Sequence, residues 1–138
     1  MASIYKDIPI DAPADLVWDA LRDFGAVHTR LAPGFVTDTR LDGDARIVTF
    51  ANGSVAREML VDCNDSRQRL VYAIKNERLT QHSASAQVFA EADGRCRVLW
   101  ITDVLPNEVA PYIDAQMDQG AAAMQAALAR SAKAKSAA

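Results

Sequence analysis

The chain has 138 residues, half of them hydrophobic and about a quarter charged, which suits one globular domain with a real core and excludes disordered or fibrous classes. Its net charge of −3 offers no general attraction to a phosphate backbone, so no nucleic-acid partner is expected. The longest apolar run, Leu70 to Ile74, is five residues against the roughly 20 that span a bilayer, so stable membrane insertion is not expected either.

Asp7, Asp11, Asp15 and Asp19 leave no room for a secretory apolar region, and the expected location is the cytoplasm. In that setting Cys63 and Cys96, isolated and without a CxxC, read as two buried small hydrophobes. Asn52-Gly53-Ser54 and Asn64-Asp65-Ser66 are then turn chemistry rather than glycosylation sites.

Ser3 to Ile10 alternates as a strand, with Ile4, Ile8 and Ile10 on one side. Lys6 falls on that apolar side, either as a snorkelling edge residue or as a sign of shifted register. Ala12-Pro13 opens a helix, with proline at the first helical position, and Val17, Leu21 and Phe24 follow at helical spacing until Gly25 stops it. A short stretch from Ala26 to Leu31 can add a second helical piece before Pro33-Gly34.

From Phe35 to Leu105 turn clusters recur at Asp42-Gly43-Asp44, Asn52-Gly53, Asn64-Asp65-Ser66, Asn76-Glu77 and Asp93-Gly94. Between them lie segments rich in β-branched and aromatic residues, which predicts six strands in an antiparallel meander. Val48 and Phe50 share one side of the third strand of the chain, and Leu70, Tyr72 and Ile74 share one side of the fifth. In the sixth, Gln81, Ser83, Ser85 and Gln87 make a polar side and leave His82, Ala84, Ala86 and Val88 facing in. The fourth alternates ambiguously, and the seventh, around Trp100, is apolar on both sides, so its register stays open.

After Pro106 the period changes. Val109, Ile113, Met117, Gly120, Met124 and Leu128 form one helical stripe from Asn107 to about Arg130, with Glu108 in the first turn and basic residues past the end. Residues 131–138 read as a flexible tail behind a single domain of residues 1–130. The expected fold class is α+β: a seven-stranded bent antiparallel sheet wrapped around a long C-terminal helix, with one or two short helices after the first strand.

Little in the sequence points to catalysis. His28, His82, Cys63 and Cys96 lack the spacings of a zinc site, so neither metal nor cofactor is expected. There is no GxSxG elbow, and Ser83 and Ser85 point away from His82 in a strand. The polar residues placed at or near the inner face are Glu58, Tyr72 and His82. A lone tyrosine such as Tyr72 is more commonly a core aromatic whose hydroxyl reaches water, His82 could equally be a satisfied core residue, and Glu58 could face outward beside Arg57 or pair across the ladder. A helix-interior glycine at Gly120 costs about 1 kcal/mol against alanine. It signals either close packing or space for a ligand; on the second reading Gly120→Leu should be at least as stable as the parent and poor at binding.

The order strand, helix, short helix, meander, long helix resembles the START-related helix-grip superfamily (SRPBCC), in its polyketide cyclase/dehydrase and lipid-transport branch. The stretches that carry the resemblance are IPIDAPADLVWDALRDFGAV and VAREMLVDCNDSRQRLVYAI, and it covers Ala2 to about Leu128. Within the superfamily the plant abscisic-acid receptors look similar at two loops, Asn52-Gly53-Ser54-Val55 in place of their gate and Glu77-Arg78-Leu79 in place of their latch. The resemblance implies pocket roles for Val48, Phe50, Glu58, Tyr72, Ile74, Leu79 and His82; the helix stripe adds Ile113, Met117 and Gly120. The lysine that holds the hormone's carboxylate is Leu31 here and the gate's proline is absent. The resemblance therefore implies a neutral or weakly polar ligand and does not carry over the hormone or its phosphatase partner.

The leading expectation is a binding or transport protein for a small hydrophobic molecule, with no catalytic residue, acting as a monomer or a homodimer. The alternatives are a cyclase- or dehydratase-type enzyme in which Glu58, Tyr72 and His82 move protons, and a ligand-gated interaction module closing through the loops at 52–55 and 77–79.

Overall fold

The computed structural model describes residues 2–137; Met1 and Ala138, the ends of the expected domain and tail, lie outside the described residues. Strand β1 (Ala2–Ile10) leads into helix α1 (Ala14–Arg22) and a π-helical turn at Val27–Leu31. Strands β2 (Val36–Asp42), β3 (Ala45–Phe50), β4 (Val55–Asn64), β5 (Arg69–Ile74), β6 (Gln81–Ala90) and β7 (Cys96–Leu105) follow, and helix α2 (Ala110–Ala137) closes the chain. The seven strands form one antiparallel sheet in the order β1-β7-β6-β5-β4-β3-β2, so the meander is closed at one end by the first strand pairing with the last. This is the expected helix-grip architecture.

The stripe on α2 is the main reason the sheet has a dry face. Met117, Met124 and Leu128 are buried, and Leu128 has no exposed surface at all. Burying one such side chain contributes about 1.5–3 kcal/mol. Val17, Trp18 and Leu21 of α1 join the same core with Ile8, Ile10, Leu70 and Val98 of the sheet. Lys6 does sit on the inner side of β1: its ammonium pairs with Asp114 and, at 2.8 Å, with Asp118 of α2. The two carboxylates explain how a cation keeps an inward position beside three isoleucines.

The structure settles the registers left open. In β7, Cys96, Val98, Thr102 and Val104 are buried while Asp103 and Leu105 are exposed, so Trp100 shares the inward parity. The ambiguity of β4 comes from a bulge: the pairing with β5 shifts between Leu60 and Asp62, so the inward parity set by Glu58 changes across Val61.

Three expectations need correction. Pro13 precedes α1 as its N-cap with extended ψ, and the helix starts one residue later. The helix ends at Arg22, three residues before Gly25, where a Cβ would come within 3.1 Å of Leu41; close approach is the constraint there, not a left-handed stop. Finally, α2 does not end near Arg130 but runs through Ala137. Residues 131–137 are Ser, Ala and Lys, mostly good helix formers, and Ala132 packs against the core, which gives the last turns a tertiary anchor. Among the described residues no helix is long and apolar enough to cross a membrane.

Candidate functional site

Sheet and helix do not fill the space between them. A cavity of about 800 Å³ lies between α2, the inner face of β3 to β7 and the π-helical turn, within the size range of small-molecule sites. Ala86 on β6 and Gly120 on α2 are among the residues that border it. Its walls are largely apolar, with Val27, Leu31, Phe35, Trp100 and Met124 among them, and the Phe35 and Phe50 rings lie 5.3 Å apart between centroids. Leu31 is one of these apolar wall residues.

All ten residues singled out from the sequence border this one cavity: Val48, Phe50, Glu58, Tyr72, Ile74, Leu79, His82, Ile113, Met117 and Gly120. The mouth is formed by Ser54 and Val55 from the β3–β4 turn, Asn76 to Leu79 from the β5–β6 loop, and Glu108 and Tyr112 near the start of α2. Val55 and Tyr112 are largely exposed there.

The buried charged and aromatic polar groups, Arg46, Glu58, Tyr72 and His82, stand on the sheet. Glu58 points inward and is buried, its Oε1 accepting a hydrogen bond from Arg46 Nε at 2.7 Å. The two residues are direct cross-strand partners in the β3–β4 ladder. The Arg46 guanidinium also lies over the Phe24 ring at 4.0 Å and the Tyr72 ring at 5.0 Å, and Nη1 donates to the Phe24 carbonyl at 3.4 Å. Arg46 is the site residue that sequence reasoning missed. Its signal was there: two positions before Val48 and four before Phe50, it shares their side of the strand. Side by side, this cation and anion together add no net charge to the interior.

Tyr72 and His82 stand beside this pair, with ring centroids 6.3 Å apart. Burial, then the nearby Glu58 charge, pushes the Tyr72 phenol well above its ordinary value, so it stays protonated. Burial pulls the His82 imidazole below its ordinary value, against a smaller opposing effect from Glu58, and favours the neutral ring. Its Nδ1 is buried without a hydrogen-bond partner among the described residues.

Gly120 lies against aromatic rings. A Cβ there would meet Phe35 Cε2 and two Trp100 ring atoms at 3.2 Å, tighter than ordinary van der Waals contact. These contacts favour close packing over ligand space as the reason for this glycine, and on that reading Gly120→Leu is expected to be less stable than the parent. Elsewhere, Cys96 is buried as expected, but Cys63 is not: it lies in the exposed end of β4, past the bulge. Among the described residues no group of three or more His, Cys, Asp or Glu could hold a metal ion.

The family model described as polyketide cyclase / dehydrase and lipid transport matches residues 1–134. The chain belongs to that family. Several solved structures resemble it over nearly its whole length. The protein XoxI from Bacillus cereus superposes with a TM-score of 0.81 at 20% identity, covering 93% of this chain and 96% of that one. A START superfamily protein from Mycobacterium smegmatis gives 0.72 at 10% identity, covering 95% and 97%. The Zhui aromatase/cyclase from Streptomyces sp. R1128 gives 0.69 at 16% identity, covering 96% and 93%. At these identities the likeness is one of fold. A sequence comparison with curated proteins finds no significant match.

Proposed function

We propose that the protein binds a small apolar molecule inside the cavity between sheet and α2, as a carrier or sensor rather than a catalyst. The observation that carries this reading is the composition of that cavity: largely apolar walls with a smaller number of polar groups, the make-up of a pocket that orients a ligand by few contacts. Glu58, the best candidate for proton transfer on sequence grounds, is occupied by Arg46 at 2.7 Å.

A second reading, an enzyme of the cyclase or dehydratase type, has one observation in its favour: the neutral His82 ring with its unpartnered nitrogen beside Tyr72. In that case His82 rather than Glu58 is the group that moves a proton.

The binding reading is tested with N-phenyl-1-naphthylamine, an uncharged fluorophore that brightens in apolar surroundings. Saturable binding at one site per chain is expected, and Ile74→Trp, which puts an indole into the cavity, should weaken it at least about tenfold, the loss of roughly 1.4 kcal/mol. Binding that never saturates, or that ignores Ile74→Trp, would refute the reading. Native mass spectrometry of the purified protein should in addition show a mass increment that organic solvent removes.

A further inference from the structure

The sheet has two edge strands, β1 and β2, and the chain treats them differently. On β1, Pro9 has no N–H to offer, its carbonyl accepts from Gln125 Nε2 at 2.9 Å, and Lys6 ties the strand to α2. β2 has no such cover. Outside the β2–β3 ladder, no backbone group of residues 37–42 makes a hydrogen bond among the described residues, and all of them except Thr39 are exposed. A row of unpaired N–H and C=O groups is a template for another strand.

Charged side chains on such an edge usually keep other chains off; here their order selects a partner. Asp38, Arg40 and Asp42 lie opposite Thr49, Ile47 and Ala45, the alternate parity to Arg46 and Val48 of the cavity wall. All three therefore stand on the outer side of the sheet, in the order minus, plus, minus. Asp38 and Arg40 make no ion pair among the described residues, and Asp42 meets Arg57 only at 3.5 Å between exposed groups. Reversed, the order is the same, so an antiparallel copy of this edge can answer it. Pairing centred on Arg40 would set two arginines face to face, which is unfavourable. Pairing centred on Thr39 would run into the bulge between Val36 and Asp38. Centred on Leu41, Arg40 of each copy stands opposite Asp42 of the other. Leu41, 60% exposed in the single chain, then packs against its own counterpart.

We infer that two copies of this chain associate edge to edge through β2, antiparallel about a two-fold axis at Leu41, into one continuous sheet. Ser54 and Val55 of the cavity mouth follow Phe50, which pairs with Val36, so the mouth lies toward the Val36 end of β2. With the two strands running in opposite directions, the two cavities open toward opposite ends of the joined sheet. The association is independent of what the cavity binds.

Light scattering over a concentration series should show the parent chain as a dimer by roughly 1 mM, the weak association expected of a small interface. A monomer at that concentration overturns the inference. Arg40→Asp and Asp42→Arg should each be monomeric alone, since each sets like charges opposite one another, and should form a mixed dimer when combined. Either variant associating with itself as the parent does, or a mixture that stays monomeric, refutes the β2 pairing. Asp38→Arg, beyond the paired segment, should dimerise at least as well as the parent; loss of its dimer takes the axis away from Leu41 and overturns the inference. Directly opposed residues of an antiparallel pair have Cα atoms about 4.5–5.5 Å apart, within disulfide reach. In a Cys63→Ser background, Leu41→Cys should therefore cross-link into a dimer on mild oxidation and Asp38→Cys should not. Equal cross-linking at the two positions, or none at Leu41→Cys, counts against the pairing.

Discussion

Glu58→Gln tests the buried ion pair most directly. The side chains of Arg46 and Glu58 are 5% and 8% exposed, the Nε–Oε1 distance is 2.7 Å, and they are cross-strand partners. The amide replacement keeps size and one acceptor but removes the negative charge, leaving the guanidinium buried between Phe24 and Tyr72 without a counter-ion. Breaking a buried pair by removing one partner costs about 3–5 kcal/mol. The cavity lets some solvent reach the pair, so the lower end, about 3 kcal/mol, is the expected loss. In a domain of this size that corresponds to a fall in melting temperature of roughly 10 °C. Replacing both partners at once, as Arg46→Met with Glu58→Leu, removes the charge imbalance and should cost about 1 kcal/mol or less. Thermal unfolding followed by circular dichroism, with urea midpoints alongside, separates the two. If Glu58→Gln melts within about 2 °C of the parent, or the double replacement is the less stable, the pair is not acting as a buried one.

Two further predictions use the same assay. Gly120→Leu should lose about 1–3 kcal/mol, because its side chain must displace the Phe35 and Trp100 rings, while Gly120→Ala should stay within about 1 kcal/mol, its closer contacts offset by better helix propensity; a Gly120→Leu variant as stable as the parent would restore the open-space reading. His82, held neutral by burial, binds its proton more weakly folded than unfolded, so its contribution to stability is intact above its ordinary value of 6.5 and falls as pH drops from there toward the folded value. The stability difference between the parent and His82→Phe should therefore be constant above about pH 7 and shrink in acid, and a difference that does not change down to pH 5 would mean the ring is not buried neutral.

The fold was legible in the sequence because each element carries its own local signal. Asn52-Gly53 turns where it should, with Gly53 at φ +89° and the Asn52 side chain accepting from the Ser54 amide. The polar and apolar sides of β6 separate residue by residue, so alternation by itself places His82 inward. What failed was where two signals overlap. Met59, Leu60 and Val61 are three apolar residues in a row, and no period chooses among them because a bulge lies within the run. The last turns of α2 lost their stripe but not their propensity, and Ala132 packing, a tertiary fact, decided their state.

The site was legible in a different measure. Its residues could be gathered face by face, since alternation assigns a side chain to the interior without reference to its neighbours. The pairing between them could not. Whether Glu58 meets Arg57, Arg46 or a ligand depends on the register of β3 against β4, and only the register makes Arg46 the residue opposite it. That one contact changes the chemistry of the cavity. With Glu58 alone the interior would hold an unpaired carboxylate; with Arg46 at 2.7 Å it holds an ion pair, on the strength of a single ladder position. The same reasoning makes Arg46 the residue to watch in related chains. Where its place is taken by an apolar side chain while Glu58 is kept, the carboxylate is released and an acid–base role becomes accessible on an otherwise unchanged fold.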